Sequence, residues 1–222
     1  MLCNVFKNTF KRFIIKIMND TFRHQGLRNK LVEKLASKGI TDMKILDAIN
    51  AIPRHLFMDN AFVDFAYQDK AFPIGAGQTI SQPYTVAFQT QLLDIKPNEK
   101  ILEIGTGSGY QSAVLSLLNT DIYTIERQKE LFLKTKSFLP SLGYNCMFIY
   151  GDGYKGLENF APFDKILITC GAPSMPLELI NQLKIGGKMV APIGNSSKQV
   201  MHLIEKKSST NTNNIITTHG DF

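Results

Sequence analysis

The chain has 222 residues, enough for one sizeable α/β domain but too few for two comfortable ones. Apolar residues make up 44% of the sequence, yet no apolar run approaches the roughly 18 to 20 residues that a membrane span needs, so no stable membrane association is expected. The net charge of +6 includes four basic groups within residues 1–19, which leaves +2 on the remainder and argues against a nucleic-acid partner.

The first 19 residues carry a helical pattern with one apolar face and lysines mostly elsewhere. That face comprises Leu2, Phe6, Phe10, Phe13, Ile14 and Ile17. Three interpretations are open: a membrane-surface helix, an organelle-targeting peptide, or an upstream extension of a protein whose natural start is Met18. We predict a basic N-terminal extension over residues 1–19 and a single domain over residues 20–222.

Two helices are predicted at the start of that domain. The first has apolar positions from Leu27 to Leu35 at helical spacing. The second is expected to begin after Thr41, which would serve as its N-cap, and to end at Pro53.

The next segment, residues 54–82, has no clean period and many aromatic residues, which indicates irregular structure with short helical pieces. At 71–84 the sequence AFPIGAGQTISQPY has the composition of an exposed loop, but its apolar Ile80 indicates that the loop packs against something. Residues 20–99 are therefore interpreted as a helical and substrate-loop segment.

From Lys100 onward the pattern alternates between strand and helix. Strands are predicted at 101–104, 122–125, 147–150, 165–169 and 188–192, and helices at 110–118, 129–139 and 177–183. This alternation is typical of a doubly wound, mostly parallel sheet with right-handed crossovers. The tail predicts an antiparallel hairpin with a polar loop at 206–214, so the core would cover residues 100–222.

Three cysteines, Cys3, Cys146 and Cys170, are widely spaced and form no CxxC or Cys/His ligand pattern. They are interpreted as reduced thiols of a cytoplasmic protein without a metal site. Cys146 and Cys170 are expected to be small apolar residues in or beside buried strands.

The sequence ILEIGTGSGY places Gly105, Gly107 and Gly109 between a predicted strand and a predicted helix. Without side chains the backbone can turn tightly and approach a ligand at the helix N-terminus. The dinucleotide fingerprint would need a third glycine where this chain has Tyr110, which argues against a nicotinamide or flavin dinucleotide.

Two acidic residues are predicted at the same edge of the sheet. Glu126 lies 21 residues past Gly105, at the end of the next strand, where its carboxylate could accept hydrogen bonds from both hydroxyls of a ribose. The alternative is a solvated strand end. Asp152 and Gly153 are either an ordinary turn or a site where Asp152 accepts an adenine amino group and Gly153 leaves room for the ring.

Together, the glycine turn and the two acidic strand ends resemble the class I S-adenosylmethionine-dependent methyltransferases over about residues 100–194. GQTISQPY and LEIGTGSGYQSAVL, with IPRHLF upstream and APFDKILITCGAP and LKIGGKMVAPIG downstream, are similar to the protein-L-isoaspartate O-methyltransferase family. The resemblance implies a repair enzyme whose substrates are isoaspartyl-containing proteins. A monomer is expected. The resemblance also implies that Ser81 is the active-site residue and that Thr79, Ile80, Glu103, Gly105, Gly107, Gly109, Glu126, Asp152 and Gly153 bind the methyl donor.

The implied chemistry accounts for an active-site loop without a strong base. An isoaspartyl α-carboxylate is ionised at neutral pH and already nucleophilic, so alignment with the methyl group and exclusion of water are what the protein must supply. Ser81 would donate a hydrogen bond that orients the carboxylate without quenching it. By itself, Ser81 could equally be a loop hydroxyl that caps a nearby backbone group.

Two other functions remain open. Amino-methyltransferases of RNA or DNA commonly carry an N-P-P-Y or D-P-P-Y turn after the fourth strand, whereas this chain has TCGAP at 169–173. A noncatalytic nucleotide-binding module would bind the donor without consuming it.

Overall fold

The computed structural model describes residues 20–195, 197–208 and 214–221. The predicted extension at residues 1–19, with Cys3, lies outside the described residues. So does the centre of the predicted polar loop at 206–214.

Helices α1 (Phe22–Ser37) and α2 (Met43–Ala51) open the described chain, as predicted. The cap of α2 was predicted wrongly. Its N-cap is Asp42, whose carboxylate accepts a hydrogen bond from the backbone N of Lys44 at 2.9 Å. Thr41 instead donates its backbone N–H to the side chain of Gln91 at 2.7 Å. The contact between Thr41 and Gln91 joins residues that are far apart in the sequence, so the sequence around α2 could not show which of Thr41 and Asp42 is the cap.

Two 3-10 helices, Arg54–Phe57 and Asn60–Phe65, confirm the short helical pieces that were predicted after Pro53. The predicted loop, however, contains an antiparallel hairpin of β1 (Phe72–Gly75) and β2 (Gln78–Ile80). Its turn holds Ala76 and Gly77 at positive φ, 50° and 67°. Alanine is uncommon in that conformation. Because the turn is Ala-Gly rather than Asn-Gly or Gly-Gly, the sequence did not indicate a hairpin here.

Helix α3 (Pro83–Leu93) follows the hairpin directly and was not predicted. Proline is favoured at the first position of a helix, because its missing N–H has no helical partner there and its φ is already set. The helix ends at Asp94, which adopts a left-handed conformation. It places Ser81 between the end of β2 and the start of a buried helix.

A seven-stranded sheet forms the centre of the fold, in the order β5-β4-β3-β6-β7-β8-β9. Its strands are β3 (Lys100–Ile104), β4 (Asp121–Glu126), β5 (Met147–Tyr150), β6 (Phe163–Ile168), β7 (Leu183–Gly194), β8 (Gln199–Glu205) and β9 (Ile215–Asp221). Strands β3 to β7 are parallel, whereas β8 and β9 pair antiparallel at one edge. The predicted doubly wound sheet with a C-terminal antiparallel hairpin is confirmed.

Three helices connect the parallel strands: α4 (Tyr110–Leu117), α5 (Lys129–Ser141) and α6 (Leu177–Asn181). The last is shorter than predicted because β7 begins at Leu183 rather than at Lys188. A register shift between β6 and β7 accommodates the additional strand residues.

Apolar side chains cover both faces of the sheet. One cluster joins helices α1 to α5 to the hairpin, and a second surrounds the β3, β6 and β7 strands beside α6. Within the described part of the chain, no helix has the length and apolar character to cross a membrane. Neither described cysteine forms a disulfide. Cys146 is partly buried, whereas Cys170 is exposed. The prediction of a buried Cys170 was wrong, because that residue follows β6 and faces an open cavity.

Candidate active site

The carboxyl ends of the parallel strands form one edge of the sheet, and β3 pairs with β4 on one side and with β6 on the other, so the strand order reverses beside β3. Ligands of open α/β sheets bind at such a switch point. Here Gly105 follows β3, Glu126 ends β4 and Thr169 follows β6. A cavity of about 460 Å³ runs along this edge, with Gly105, Glu126, Asp152 and Gly153 in its wall.

The glycine turn leaves no space for a side chain at residue 105. Gly105 has φ of +97°, and a Cβ there would lie 2.6 Å from the Thr169 hydroxyl oxygen. That hydroxyl donates to the carbonyl oxygen of Gly105, also at 2.6 Å. The end of β6 therefore holds the turn that follows β3, and only glycine fits between them.

Gly109 packs closely against helix α5. It precedes α4 with φ of +82°, and a Cβ would lie 2.7 Å from the Thr135 methyl carbon on α5. The residue lets α4 start close to α5 but does not line the cavity beside Gly105 and Gly107. Its role in cofactor binding stays a prediction.

Glu126 is nearly buried and is fixed by the backbone on both sides. One carboxylate oxygen accepts from the N–H of Gly107 at 2.8 Å and the other from the N–H of Gln128 at 2.7 Å. A carboxylate offers about four lone-pair sites. Two acceptor sites therefore remain on a group held rigidly in the cavity wall, which is what a pair of ribose hydroxyls requires.

Glu103 lies inside the sheet rather than in the cavity wall. It is fully buried, and one oxygen accepts a hydrogen bond from the Ser112 hydroxyl on α4. The other oxygen, Oε1, has no hydrogen-bond partner among the described residues. Burial raises the pKa of Glu103 to about 7. A role of Glu103 in cofactor binding stays a prediction.

Asp152 and Gly153 form the far end of the larger cavity. Asp152 accepts the backbone N–H of Tyr154 at 3.0 Å and remains exposed. A Cβ on Gly153 would lie 2.4 Å from a methyl carbon of Ile104, which also lines the cavity. Glycine at 153 therefore lets the chain pack directly on Ile104 in this wall of the cavity.

The β2–α3 loop closes the opposite end. A smaller cavity of about 60 Å³ lies between Thr79, Ile80 and Ser81 on one side and the glycine turn on the other. It shares Gly105 and Glu126 with the larger cavity, so the two are parts of one trough. Thr79 is exposed, Ile80 is buried and Ser81 is half-buried.

The hydroxyl of Ser81 makes no hydrogen bond with another described residue, whereas its backbone carbonyl accepts from Arg54 at 3.0 Å. The alternative that this hydroxyl caps a nearby backbone group therefore finds no support in the described structure. A hydroxyl beside a trough, with its backbone anchored from behind, can donate to a ligand.

The sequence profile of the family described as protein-L-isoaspartate(D-aspartate) O-methyltransferase matches residues 26–220. The chain belongs to this family. Protein-L-isoaspartate O-methyltransferase of Christiangramia forsetii is 61% identical over 193 residues, which cover 86% of this chain and 90% of that protein. The protein of the same name from Dictyoglomus thermophilum is 48% identical over 199 residues, with 89% and 88% coverage.

Solved structures agree with this assignment. One named protein-L-isoaspartate O-methyltransferase matches 88% of this chain with a TM-score of 0.79 and 28% identity, and the chain spans 64% of that longer protein. A Plasmodium falciparum structure, described as a protein-L-isoaspartate O-methyltransferase in complex with S-adenosyl-L-homocysteine, has a TM-score of 0.75 and 25% identity. There the match covers 88% of this chain and 95% of that one.

Several residues that line the site were not predicted from the sequence. Thr169 and Cys170 line the trough, and their position directly after a parallel strand was the signal that could have found them. Gln78 lines both cavities from the start of β2. Arg54 was noticed only as part of the IPRHLF motif, and no pattern indicated that its guanidinium reaches the active-site loop.

One group of described residues has ligand atoms close enough for a metal ion: Asp20, His24 and His55, whose ligand atoms lie within 4.8 Å of one another. The Asp20 carboxylate already receives both terminal nitrogens of Arg28 at 2.9 Å. A guanidinium that is bound in this way competes with a cation for the same oxygens.

Proposed function

We propose that this chain transfers a methyl group from S-adenosylmethionine to the α-carboxylate of L-isoaspartyl residues in damaged proteins. The nitrogen of the neighbouring backbone amide then attacks the ester carbonyl and methanol leaves. The resulting succinimide is hydrolysed in part to normal aspartate. The observation that carries the proposal is the single trough that the glycine turn, Glu126 and the Ser81 loop line together. Membership of the protein-L-isoaspartate O-methyltransferase family supports the same reaction.

The described residues fit the donor. The side-chain-free turn at Gly105 and Gly107 lets a ligand approach the backbone, and Glu126 offers free acceptor sites to a ribose. Asp152 would accept the adenine amino group beside Gly153. When bound, S-adenosylmethionine supplies an electrophilic methyl group on a cationic sulfur.

At the other end of the trough, the chain orients the acceptor. Ser81 would donate its hydroxyl proton to one oxygen of the isoaspartyl carboxylate and leave the other free to attack. No general base is needed, because this carboxylate is ionised at neutral pH. Buried Ile80 and Val86 give this end an apolar wall. Water excluded by that wall cannot solvate the carboxylate, which raises its reactivity.

The proposed reaction also needs no metal, since neither activation of the nucleophile nor departure of the thioether requires a Lewis acid. Isoaspartyl proteins and peptides are the proposed substrates. Action as a monomer in the cytoplasm stays a prediction.

Two synthetic peptides of identical composition, one with an aspartyl and one with an isoaspartyl linkage, test the function with methyl-labelled donor. We expect base-labile methyl ester on the isoaspartyl peptide alone. Equal labelling of both peptides, or labelling of RNA or DNA instead, would contradict the proposal. Donor binding without any turnover would indicate a noncatalytic module.

A further inference from the structure

Arg54 is a buried cation with an unusual set of partners. Its side chain is fully buried, and no carboxylate of the described residues forms an ion pair with it. Burying a charged group costs several kcal/mol unless hydrogen bonds replace its hydration. Arg54 receives part of that compensation from backbone carbonyls and one aromatic ring, whereas its Nη1 atom has no hydrogen-bond partner among the described residues. The partners come from separate segments of the chain.

Its planar guanidinium joins the active-site loop to the chain before it. The Nε atom donates to the carbonyl of Ala66 at 3.0 Å, and Nη2 donates to the carbonyl of Ser81 at 3.0 Å. A longer contact of 3.4 Å joins Nη2 to the carbonyl of Lys70. The fork thus spans the end of the second 3-10 helix and the residue after β2.

The same guanidinium also contacts the cofactor side of the trough. Its central carbon lies 4.7 Å from the centre of the Tyr110 ring, a cation–π distance. Tyr110 is the first residue of α4 and follows Gly109 directly. Arg54 is therefore in contact with both walls of the smaller cavity, which Ser81 and Tyr110 line.

The rest of the loop is anchored independently. Asp69 accepts the backbone N–H of Tyr84 at 2.8 Å, and the Gln82 side chain donates to the Asp69 carbonyl at 3.1 Å. Lys38 pairs with the Asp69 carboxylate at 2.5 Å. These contacts hold the start of α3, but the backbone of Ser81 itself is held by Arg54.

We propose that Arg54 is a positioning residue that sets the placement of Ser81 relative to the glycine turn through the Ser81 carbonyl and the Tyr110 ring. This inference rests on the methyl transfer proposed above. A displacement of about 1 Å between reacting groups can lower a rate on the order of a hundredfold. A lysine would keep the positive charge, but its single ammonium cannot reproduce a planar fork that reaches both Ala66 and Ser81.

The test is a double-mutant cycle of Arg54→Lys and Ser81→Ala, measured as kcat and KM on the isoaspartyl peptide. We expect Arg54→Lys to lower kcat by roughly tenfold to a hundredfold, while affinity for S-adenosylhomocysteine changes by less than about threefold. Because Arg54 acts through Ser81, Ser81→Ala should have a much smaller effect in the Arg54→Lys protein than in the unmodified one.

Arg28→Lys is the matched control. Arg28 is also buried and hydrogen-bonded to a backbone carbonyl, that of Asn50, but it does not touch the Ser81 loop. We expect this variant to lose thermal stability yet keep kcat within about twofold. A comparable loss of kcat in Arg28→Lys would show that general loosening of the fold explains the effect.

Arg54→Gln is the second variant, to be used if Arg54→Lys does not fold. Independent, multiplicative effects of residue 54 and Ser81, or an unchanged kcat, would overturn the role of Arg54. So would loss of the fold in both Arg54 variants while Arg28→Lys folds, which would indicate a purely structural residue. An unmodified protein that fails to label the isoaspartyl peptide would overturn the proposed function and this inference with it.

Discussion

Glu126 accepts a hydrogen bond from the backbone nitrogen of Gly107 at 2.8 Å, so the carboxylate at the end of β4 holds the glycine turn that follows β3. Its second oxygen binds the backbone nitrogen of Gln128, which fixes the direction of the side chain. One residue therefore shapes the turn and offers acceptor sites to a ligand. Any change at Glu126 will affect both.

We predict that Glu126→Ala weakens binding of S-adenosylhomocysteine by roughly 1 to 3 kcal/mol, the usual scale for hydrogen bonds to a charged group. Titration calorimetry measures this directly. Glu33→Ala, which removes an exposed carboxylate from α1, is the control and should leave the affinity unchanged. Equal affinities for the Glu126→Ala and unmodified proteins would show that the carboxylate does not contact the ligand.

Glu103 predicts a pH dependence of stability. Burial raises its pKa from 4.5 to about 7, so between these values the native state binds a proton that the unfolded chain has already released. The cost of burying the charge is therefore absent below about pH 4.5 and complete above about pH 7. Glutamine cannot ionise and avoids this cost.

Relative to the unmodified protein, Glu103→Gln should accordingly gain roughly 2 to 3 kcal/mol in unfolding free energy between pH 5 and pH 8. Urea unfolding at a series of pH values measures the difference. A difference that stays constant over this range would place the pKa of Glu103 near its ordinary value.

Much of the fold could be predicted because short apolar runs, such as Ile101–Ile104 before Gly105, alternate with helical patterns. Positions that follow directly from strand ends, including Glu126 and Asp152, could be placed for the same reason. The hairpin before Ser81 could not, since Ala76 gives no turn signal.

Arg54 could not be predicted as a neighbour of Ser81 either. Its contact joins residues 27 positions apart through a backbone carbonyl, and any residue type supplies a carbonyl. The exposure of Cys170 could not be predicted, because a cysteine inside a strand is usually buried, whereas this one lies just beyond the end of β6 and is exposed. The division between residues 1–19 and 20–222 stays a prediction.

Substitution of Gly105 tests whether a side chain at this position blocks the ligand. Comparison with a second glycine of similar φ separates backbone strain from the clash of the added Cβ. Gly105→Ala introduces strain at φ of +97° and a Cβ only 2.6 Å from the Thr169 hydroxyl. Gly143→Ala is the control, since Gly143 has φ of +91° and nothing within 4 Å. Both should lose about 1 to 2 kcal/mol in unfolding free energy from the left-handed backbone, and Gly105→Ala should lose more because Thr169 must shift to admit the Cβ.

Only Gly105→Ala should lower the affinity for S-adenosylhomocysteine, because its methyl group displaces Thr169 at the trough. We expect a loss of at least about tenfold, or 1.4 kcal/mol. Equal ligand affinities for the two variants would show that the trough tolerates a side chain at residue 105.

Ser81→Ala tests the acceptor end of the trough. Ser81 lines the smaller cavity, and its hydroxyl has no hydrogen-bond partner among the described residues, so removal of that hydroxyl should cost little stability. Because the glycine turn and Glu126 are unchanged, S-adenosylhomocysteine should bind normally. Turnover on the isoaspartyl peptide should fall by roughly tenfold to a thousandfold, or about 1.4 to 4 kcal/mol in the barrier, since the carboxylate loses the donor that orients it.

Ser116→Ala is the control for this substitution. Ser116 is also half-buried, but its hydroxyl donates to the carbonyl of Ala113 within α4 at 2.9 Å. Its replacement should cost about 1 kcal/mol in stability and leave turnover intact. The opposite pattern, with normal turnover and lowered stability in Ser81→Ala, would show that Ser81 holds the loop and takes no part in the transfer.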